Sequence, residues 1–420
     1  MNQIEASHGI CSNTYFSKME NHYVKPGESL LIPIAERLGI DAGLLLSDVI
    51  YDENRVNEIA ELFWRTGRLG NNELLYFTIV SRESLPTGQL VKVFGVLMRH
   101  YVNLCLADLA HKEQARELFE LSEAILPKLQ GDQFYPDYFN YMLACSSYHA
   151  DIALDHVNSY KYMAILERRM DAYTELDKAR LHYNISLVLD KILEEKSIAL
   201  AYSAKAYDYF KETKDTHRFI MVMLARGIQF HKVGMLDDSL KMFTEAEQLV
   251  DDKNAATFAP IIEFNLGIIY ELQQRHDQAI EKFRKCLLMH ERRPNQQVYC
   301  YRRIAQNALK LKSWPLLEEC LLGGMALAEE LGMMQDYLEM TYLRNQYWFM
   351  KQDLVKYEKE MKRLVDSSLH HEKFTLCRQY ADELGQYYYD RNAYKKAAEL
   401  FKIANDAAKR YRQFRLELGM

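Results

Sequence analysis

The sequence predicts an all-α protein, a right-handed superhelix of tetratricopeptide-type helical hairpins preceded by a small helix-turn-helix segment. Two observations carry this. The chain of 420 residues has only 17 Gly and 8 Pro, with 49% apolar and 27% charged residues, which favours helices over strands and turns. From about residue 175 onward a set of small and aromatic residues recurs with a period near 40.

Residues 1–45 open with a short helix ending at His8-Gly9. Gly9 suits a turn that needs positive φ, and Ser12 is placed to cap a second helix running to Asn21. Phe16 and Met19 face inward at i and i+3, whereas Asn13, Thr14 and Lys18 project from the front of that helix. Residues 46–90 read as linker helices, with the apolar spacing Val56-Ile59-Ala60-Phe63 and a break at Ser84-Leu85-Pro86-Thr87-Gly88. Residues 91–174 read as irregular helical hairpins, with Ala115-Leu118-Phe119-Ala124 as one apolar stripe.

Residues 175–420 carry the repeat. A tetratricopeptide hairpin needs a small residue where its first helix (A) meets its second (B), an aromatic three positions on, and small or aromatic residues on B at fixed offsets. The sets are Gly227, Phe230, Ser239, Phe243, Ala246; Gly267, Tyr270, Ala279, Phe283, Cys286; and Gly385, Tyr388, Ala397, Phe401, Ala404. Weaker copies are Ala305, Ala308, Leu317, Leu321, Gly324 and Asn345, Trp348, Tyr357, Met361, Leu364. Positions 227, 267, 305, 345 and 385 are thus 40, 38, 40 and 40 apart, and Ser186 and Ser146 continue the series backwards. Loops are expected at Val233-Gly234-Met235, Gln274-Arg275-His276-Asp277 and Asp390-Arg391-Asn392. These small and aromatic positions are packing residues; function belongs to the concave surface that stacking creates.

That surface is lined by A-helix positions two and three before the small residue and one, four and five after it. They give Asn184, Lys191, His231, Lys232, Asn265, Glu271, Arg302, Arg303, Gln306 and Lys310 as the candidate peptide-binding set. Asn184 and Asn265 share one register position. An Asn amide offers donor and acceptor, so it can hold the backbone of an extended peptide without reading its side chains. Arg302, Arg303 and Lys310 could fix a carboxylate.

The N-terminal segment resembles the phage-repressor type of helix-turn-helix through Gln3, Ser7, Gly9, Ile10, Ser12, Phe16, Ser17, Glu20, Pro26, Leu30, Ala35 and Leu38. The resemblance implies that Ser12, Asn13, Thr14 and Lys18 face base edges and Gln3 a phosphate. The sequence departs from the pattern at His22, where Gly is usual, and it starts without the first helix of such domains. Residues 1–40 hold Lys18, Lys25 and Arg37 against Glu5, Glu20, Glu28 and Glu36, which is not a basic DNA-binding surface.

A helix-turn-helix joined to long-period tetratricopeptide repeats looks like the peptide-pheromone regulators of Gram-positive bacteria, the Rap, NprR, PlcR and PrgX group, with NprR the nearest in architecture. The resemblance implies a short signalling peptide in the concave groove, DNA as partner if a first helix is present, and a homodimer. It also implies a second reading, a module that sequesters or inhibits a phosphorelay response regulator, with a vestigial helix-turn-helix.

The net charge of −6 gives no general attraction to nucleic acid or an anionic membrane. Seven cysteines, at 11, 105, 145, 286, 300, 320 and 377, lack metal-ligand spacing and read as reduced, mostly buried thiols of a cytoplasmic protein. No stretch reads as a membrane span or signal peptide. No phosphate-binding loop, zinc-protease motif or nucleophile elbow is present, and His370-His371-Glu372 reads as an inter-repeat loop. No enzyme, cofactor or metal site is expected.

Overall fold

The structure is a computed structural model of the chain, and it describes residues 3–20, 24, 26–40, 42, 51–83, 85–107, 109–126, 137–290 and 294–417. Asn21, His22, Lys25 and Ser84 lie outside the described residues. Every regular element among the described residues is helical. The chain divides into two compact units, residues 1–213 and 214–420.

In the first unit α1 (Gln3–Ser7), α2 (Asn13–Glu20) and α3 (Glu28–Leu38) enclose a small core of Ala6, Phe16 and Ile34, with Ile10, Met19 and Leu30 against it. Gly9 has φ +72°, and the Ser12 hydroxyl accepts from the Tyr15 amide at 3.2 Å. The turn and cap are therefore those the sequence predicts. Next come α4 (Glu53–Thr66), α5 (Asn71–Val80) and α6 (Thr87–Ala107). Asp52 caps α4 by accepting from the amides of Asn54 and Arg55, and Val56, Ile59, Ala60 and Phe63 are buried against Tyr76, Phe77, Val93 and Leu97.

Helices α7 (Lys112–Ile125), α8 (Asp137–Ser147), α9 (His156–Glu167), α10 (Glu175–Ile192) and α11 (Ser197–Glu212) complete this unit. In α7 the stripe differs from the expected one: Ala115 and Ser122 are buried, while Ala124 is exposed. Ser122 is drawn inside because its hydroxyl lies 2.9 Å from that of Tyr141 on α8. A π-helical turn, Tyr148–Ile152, follows α8, and Leu154 has φ +56°.

Among the described residues the second unit forms five A/B pairs. Their A helices are α12 (Thr216–Lys232), α14 (Ala255–Leu272), α16 (Pro294–Lys310), α18 (Met334–Met350) and α20 (Phe374–Tyr389). The B helices are α13 (Leu236–Gln248), α15 (His276–Met289), α17 (Trp314–Glu330), α19 (Leu354–His370) and α21 (Tyr394–Glu417). The predicted small-on-aromatic contact is the hinge of three of the pairs, those of Gly227, Gly267 and Gly385, whereas the other two set Ala305 and Asn345 at the small position with Leu321 and Met361 at the aromatic one. A methyl group on Gly227 would stand 2.6 Å from the Phe243 ring, one on Gly267 2.7 Å from Phe283, and one on Gly385 2.8 Å from Phe401. Only a residue without a side chain lets the two backbones approach so closely.

The last two pairs share a further device, spaced 40 residues apart. Tyr347 donates to Glu318 at 2.6 Å and Tyr387 to Glu358 at 2.8 Å. Lys351 and Arg391 stand over those two rings, and Lys356 and Lys396 over Trp348 and Tyr388. Helices α17 and α19 are thus each tied to the next A helix by a buried aromatic with a charged partner at its tip.

Helix α14 is long and apolar enough to cross a membrane by length and composition, which the sequence reading did not anticipate. It buries Phe258, Ile262, Leu266 and Ile269 inside the unit and carries Pro260 and Glu263, so its apolar length is spent on packing. Ile403 packs against the core of the last repeats, while Tyr394 and Tyr411 are exposed. His371 and Glu372 form the α19–α20 linker, as expected, although His370 still ends α19. His276 and Asp277 likewise open α15 rather than lying in the preceding loop. Six of the seven cysteines are buried.

Several three-residue linkers turn on a residue with positive φ: Gly234 at +81° and Gly332 at +66°, but Gln274, Lys312, Gln352 and Glu372 at 56 to 59°. A side chain there costs about 1 kcal/mol relative to Gly. Glu372→Gly is therefore expected to stabilise the chain by about 0.5–1 kcal/mol in urea titration, and Gly234→Ala to destabilise it similarly.

Candidate peptide groove and recognition helix

In the recognition-helix segment Ser12, Asn13, Thr14 and Lys18 are all exposed on one side, opposite buried Phe16. Two candidates are also used internally: the Asn13 side-chain oxygen accepts from the Ser7 hydroxyl, and the Gln3 amide donates to Glu20. Arg37 donates to the carbonyls of Glu5, Ala6 and His8 and so closes the end of α1. One of the segment's three cations is thereby committed to the fold, and Lys18 is the exposed one on the recognition helix.

In the second unit a polar network joins successive A helices. Glu271 on α14 accepts from Arg303 and from the Asn307 amide on α16, both at 2.9 Å. Arg302 on α16 pairs with Asp336, at 3.2 Å, and Glu339 on α18. Burial lowers the Arg302 pKa and raises that of Asp336, each opposed by the charge of the other. The two arginines do meet carboxylates, as the sequence suggests, but these belong to the chain itself. A ligand carboxylate would have to compete for them.

The amides behave differently. Asn265, 8% exposed, donates to the Ile261 carbonyl four residues back at 2.7 Å. That bond fixes the side chain and leaves its second N–H and its oxygen for a ligand. Gln306 holds a buried side-chain oxygen with no donor. Such an acceptor is costly unless something outside the chain supplies the hydrogen. His231, Lys232 and Lys310 lie in the last turns of α12 and α16, with Lys232 and Lys310 exposed, where positive charge also complements the helix dipole.

In the first unit Asn184 repeats the Asn265 geometry, donating to the Arg180 carbonyl at 2.8 Å, and Lys191 is exposed in the last turn of α10. The sequence reading missed Arg99 on α6. This half-buried guanidinium donates to the Ser147 hydroxyl at 3.0 Å, and burial lowers its pKa while Asp151 opposes the shift. Ser147 and Asp151 stand one and five places after Ser146, at the offsets predicted for the groove. The signal was present, but α6 itself lies outside the clear repeats. In the second unit Glu383, two before Gly385, occupies the register of Asn184, Asn265 and Arg303 and was likewise passed over.

No family model matches the chain. Among curated proteins it is similar to the transcriptional activator NprA of Geobacillus stearothermophilus, 24% identical over 415 residues, covering 94% of this chain and 97% of NprA. Among solved structures it is similar to the apo quorum sensor NprR from B. thuringiensis, with a TM-score of 0.66 at 12% identity, covering 85% of this chain and 97% of the other. The chain has the NprR- and Rap-type helical-repeat fold. RapI in its apo form gives a TM-score of 0.61 at 12% identity, with 86% and 98% covered. NprR in complex with its cognate peptide NprX gives 0.52 at 13% identity, with 86% and 100% covered. The NprR- and Rap-type fold thus accounts for the long-period hairpins and for the helices that precede them.

Proposed function

We propose that the chain is a peptide-responsive transcriptional regulator of the cytoplasm, which binds a short signalling peptide on the A-helix face of its repeats and DNA through α2. The observation that carries this reading is the likeness to NprA over nearly the whole of both chains. The peptide part draws on the solved NprR–NprX complex and on the Asn265 and Gln306 groups left open toward a ligand. In the second unit Asn265 and Gln306 hold the peptide backbone, and His231, Lys232 and Lys310 set the charge around it; Asn184, Lys191 and Arg99 offer groups of the same kinds within the first unit. Arg302, Arg303 and Glu271 form the ion-paired wall. The reading assigns no catalytic step and no cofactor.

Calorimetry with synthetic peptides from the short reading frames beside the gene tests it. One should bind, and Asn265→Ala should weaken it by about 1–3 kcal/mol, the usual cost of stranding a buried polar group. Failure of the whole set to bind would refute the peptide-sensing role. The functional unit is proposed to be a homodimer, since a single weakly charged reading helix has too little phosphate attraction to hold DNA alone. Light scattering should give twice the monomer mass at micromolar concentration.

A second reading is favoured by one observation, the commitment of Arg37, Gln3 and Asn13 to contacts within the N-terminal segment. In it the helix-turn-helix is vestigial and the chain sequesters a response regulator. Peptide binding without specific DNA binding would select this alternative.

A further inference from the structure

We propose that Glu383 is the receptor for a cationic group of the ligand, an ammonium or a guanidinium, at the far end of the A-helix face; this rests on the peptide-binding reading above. Glu383 is half-buried on α20. Its carboxylate accepts from the Tyr342 hydroxyl at 2.6 Å, the Gln346 amide at 2.5 Å and the Tyr357 hydroxyl at 3.3 Å. All three donors are neutral, and among the described residues no Lys, Arg or His nitrogen lies within the 4.0 Å ion-pair distance of it. The carboxylates of Glu271, Asp336 and Glu339 on the same network each have an arginine. Glu383 does not.

Arg302 of that network is already shared by two carboxylates, Asp336 and Glu339, and so is not spare to neutralise Glu383. A second observation points the same way. The Tyr380 hydroxyl is buried without a partner, and its ring stacks on Tyr342 with centroids 5.0 Å apart. Burial and Glu383 both hold the Tyr342, Tyr357 and Tyr380 hydroxyls protonated, so the tyrosines remain neutral donors and cannot take the place of a cation. A half-buried carboxylate held by neutral donors beside stacked aromatic faces is the arrangement that gains most from a cation with N–H groups.

The test is affinity selection on the immobilised full chain with a random seven-residue peptide library, half of it N-acetylated. The parent should enrich peptides bearing Lys, Arg or a free amino terminus. Loss of enrichment on acetylation assigns the terminal ammonium; a Lys or Arg preference that survives it assigns a side chain. Glu383→Gln should reduce the cationic preference about tenfold, and Tyr342→Phe, which keeps the charge, should retain it. Should Glu383→Gln melt early, the parent's preference and Glu383→Asp decide. Enrichment with no cationic preference, or one unchanged in Glu383→Gln, overturns this assignment alone. No enrichment of any peptide over bare support overturns it together with the peptide-binding reading.

Discussion

Gly267→Ala is expected to destabilise the chain by about 1–3 kcal/mol, whereas Gly323→Ala should stabilise it by about 0.5–1 kcal/mol. Both glycines lie inside helices, so intrinsic helix propensity favours alanine equally at each. The surroundings reverse the sign at one of them. A methyl on Gly267 would stand 2.7 Å from Cε1 of Phe283, a ring fully buried between helices and unable to retreat. At Gly323 the nearest atom, in the Tyr301 ring, is 3.4 Å away, an ordinary contact. Urea titration of both variants checks this, and equal shifts of the same sign would show that the hairpins are not hinged on the small-on-aromatic contact.

Asn345→Ala is expected to stabilise the chain by about 1–3 kcal/mol. Asn345 fills the small-residue position of its hairpin, where the other pairs have Gly or Ala, and it is fully buried. Both its amide nitrogen and its oxygen lack a hydrogen-bond partner. An amide taken out of water without compensation costs about this much, and Ala305 shows that alanine fits the register. A loss of stability in thermal melts would mean that the amide finds a partner in solution and serves the fold. A gain would make Asn345 a residue kept for something other than stability.

The hairpins were legible because their determinants are short-range. The Gly227–Phe243 and Gly267–Phe283 contacts recur at one offset, and Gly9 with Ser12 spells a turn and a cap within four residues. The shared helix register was legible for the same reason: Asn184 and Asn265 occupy one position and, in the structure, make the same bond to the carbonyl four residues back. Charge pairing was not legible. Arg302 finds Asp336 and Glu339, and Arg303 finds Glu271, on neighbouring A helices more than 30 residues away. Nothing local to an arginine says which carboxylate will reach it. Arg99 was hidden because its helix α6 lies outside the clear repeats, although its partner Ser147 stands one place after Ser146, at a predicted groove offset.

The most direct test of the account is to map a bound peptide on the chain. The tightest peptide encoded beside the gene, carrying a photoreactive residue at each position in turn, is crosslinked to the full chain and the sites are read by mass spectrometry. The account predicts crosslinks confined to the A helices, among them α14 near Asn265, α16 near Gln306 and α20 near Glu383. Crosslinks on the outer sides of the B helices, at exposed residues such as Leu322 and Val355, would contradict it.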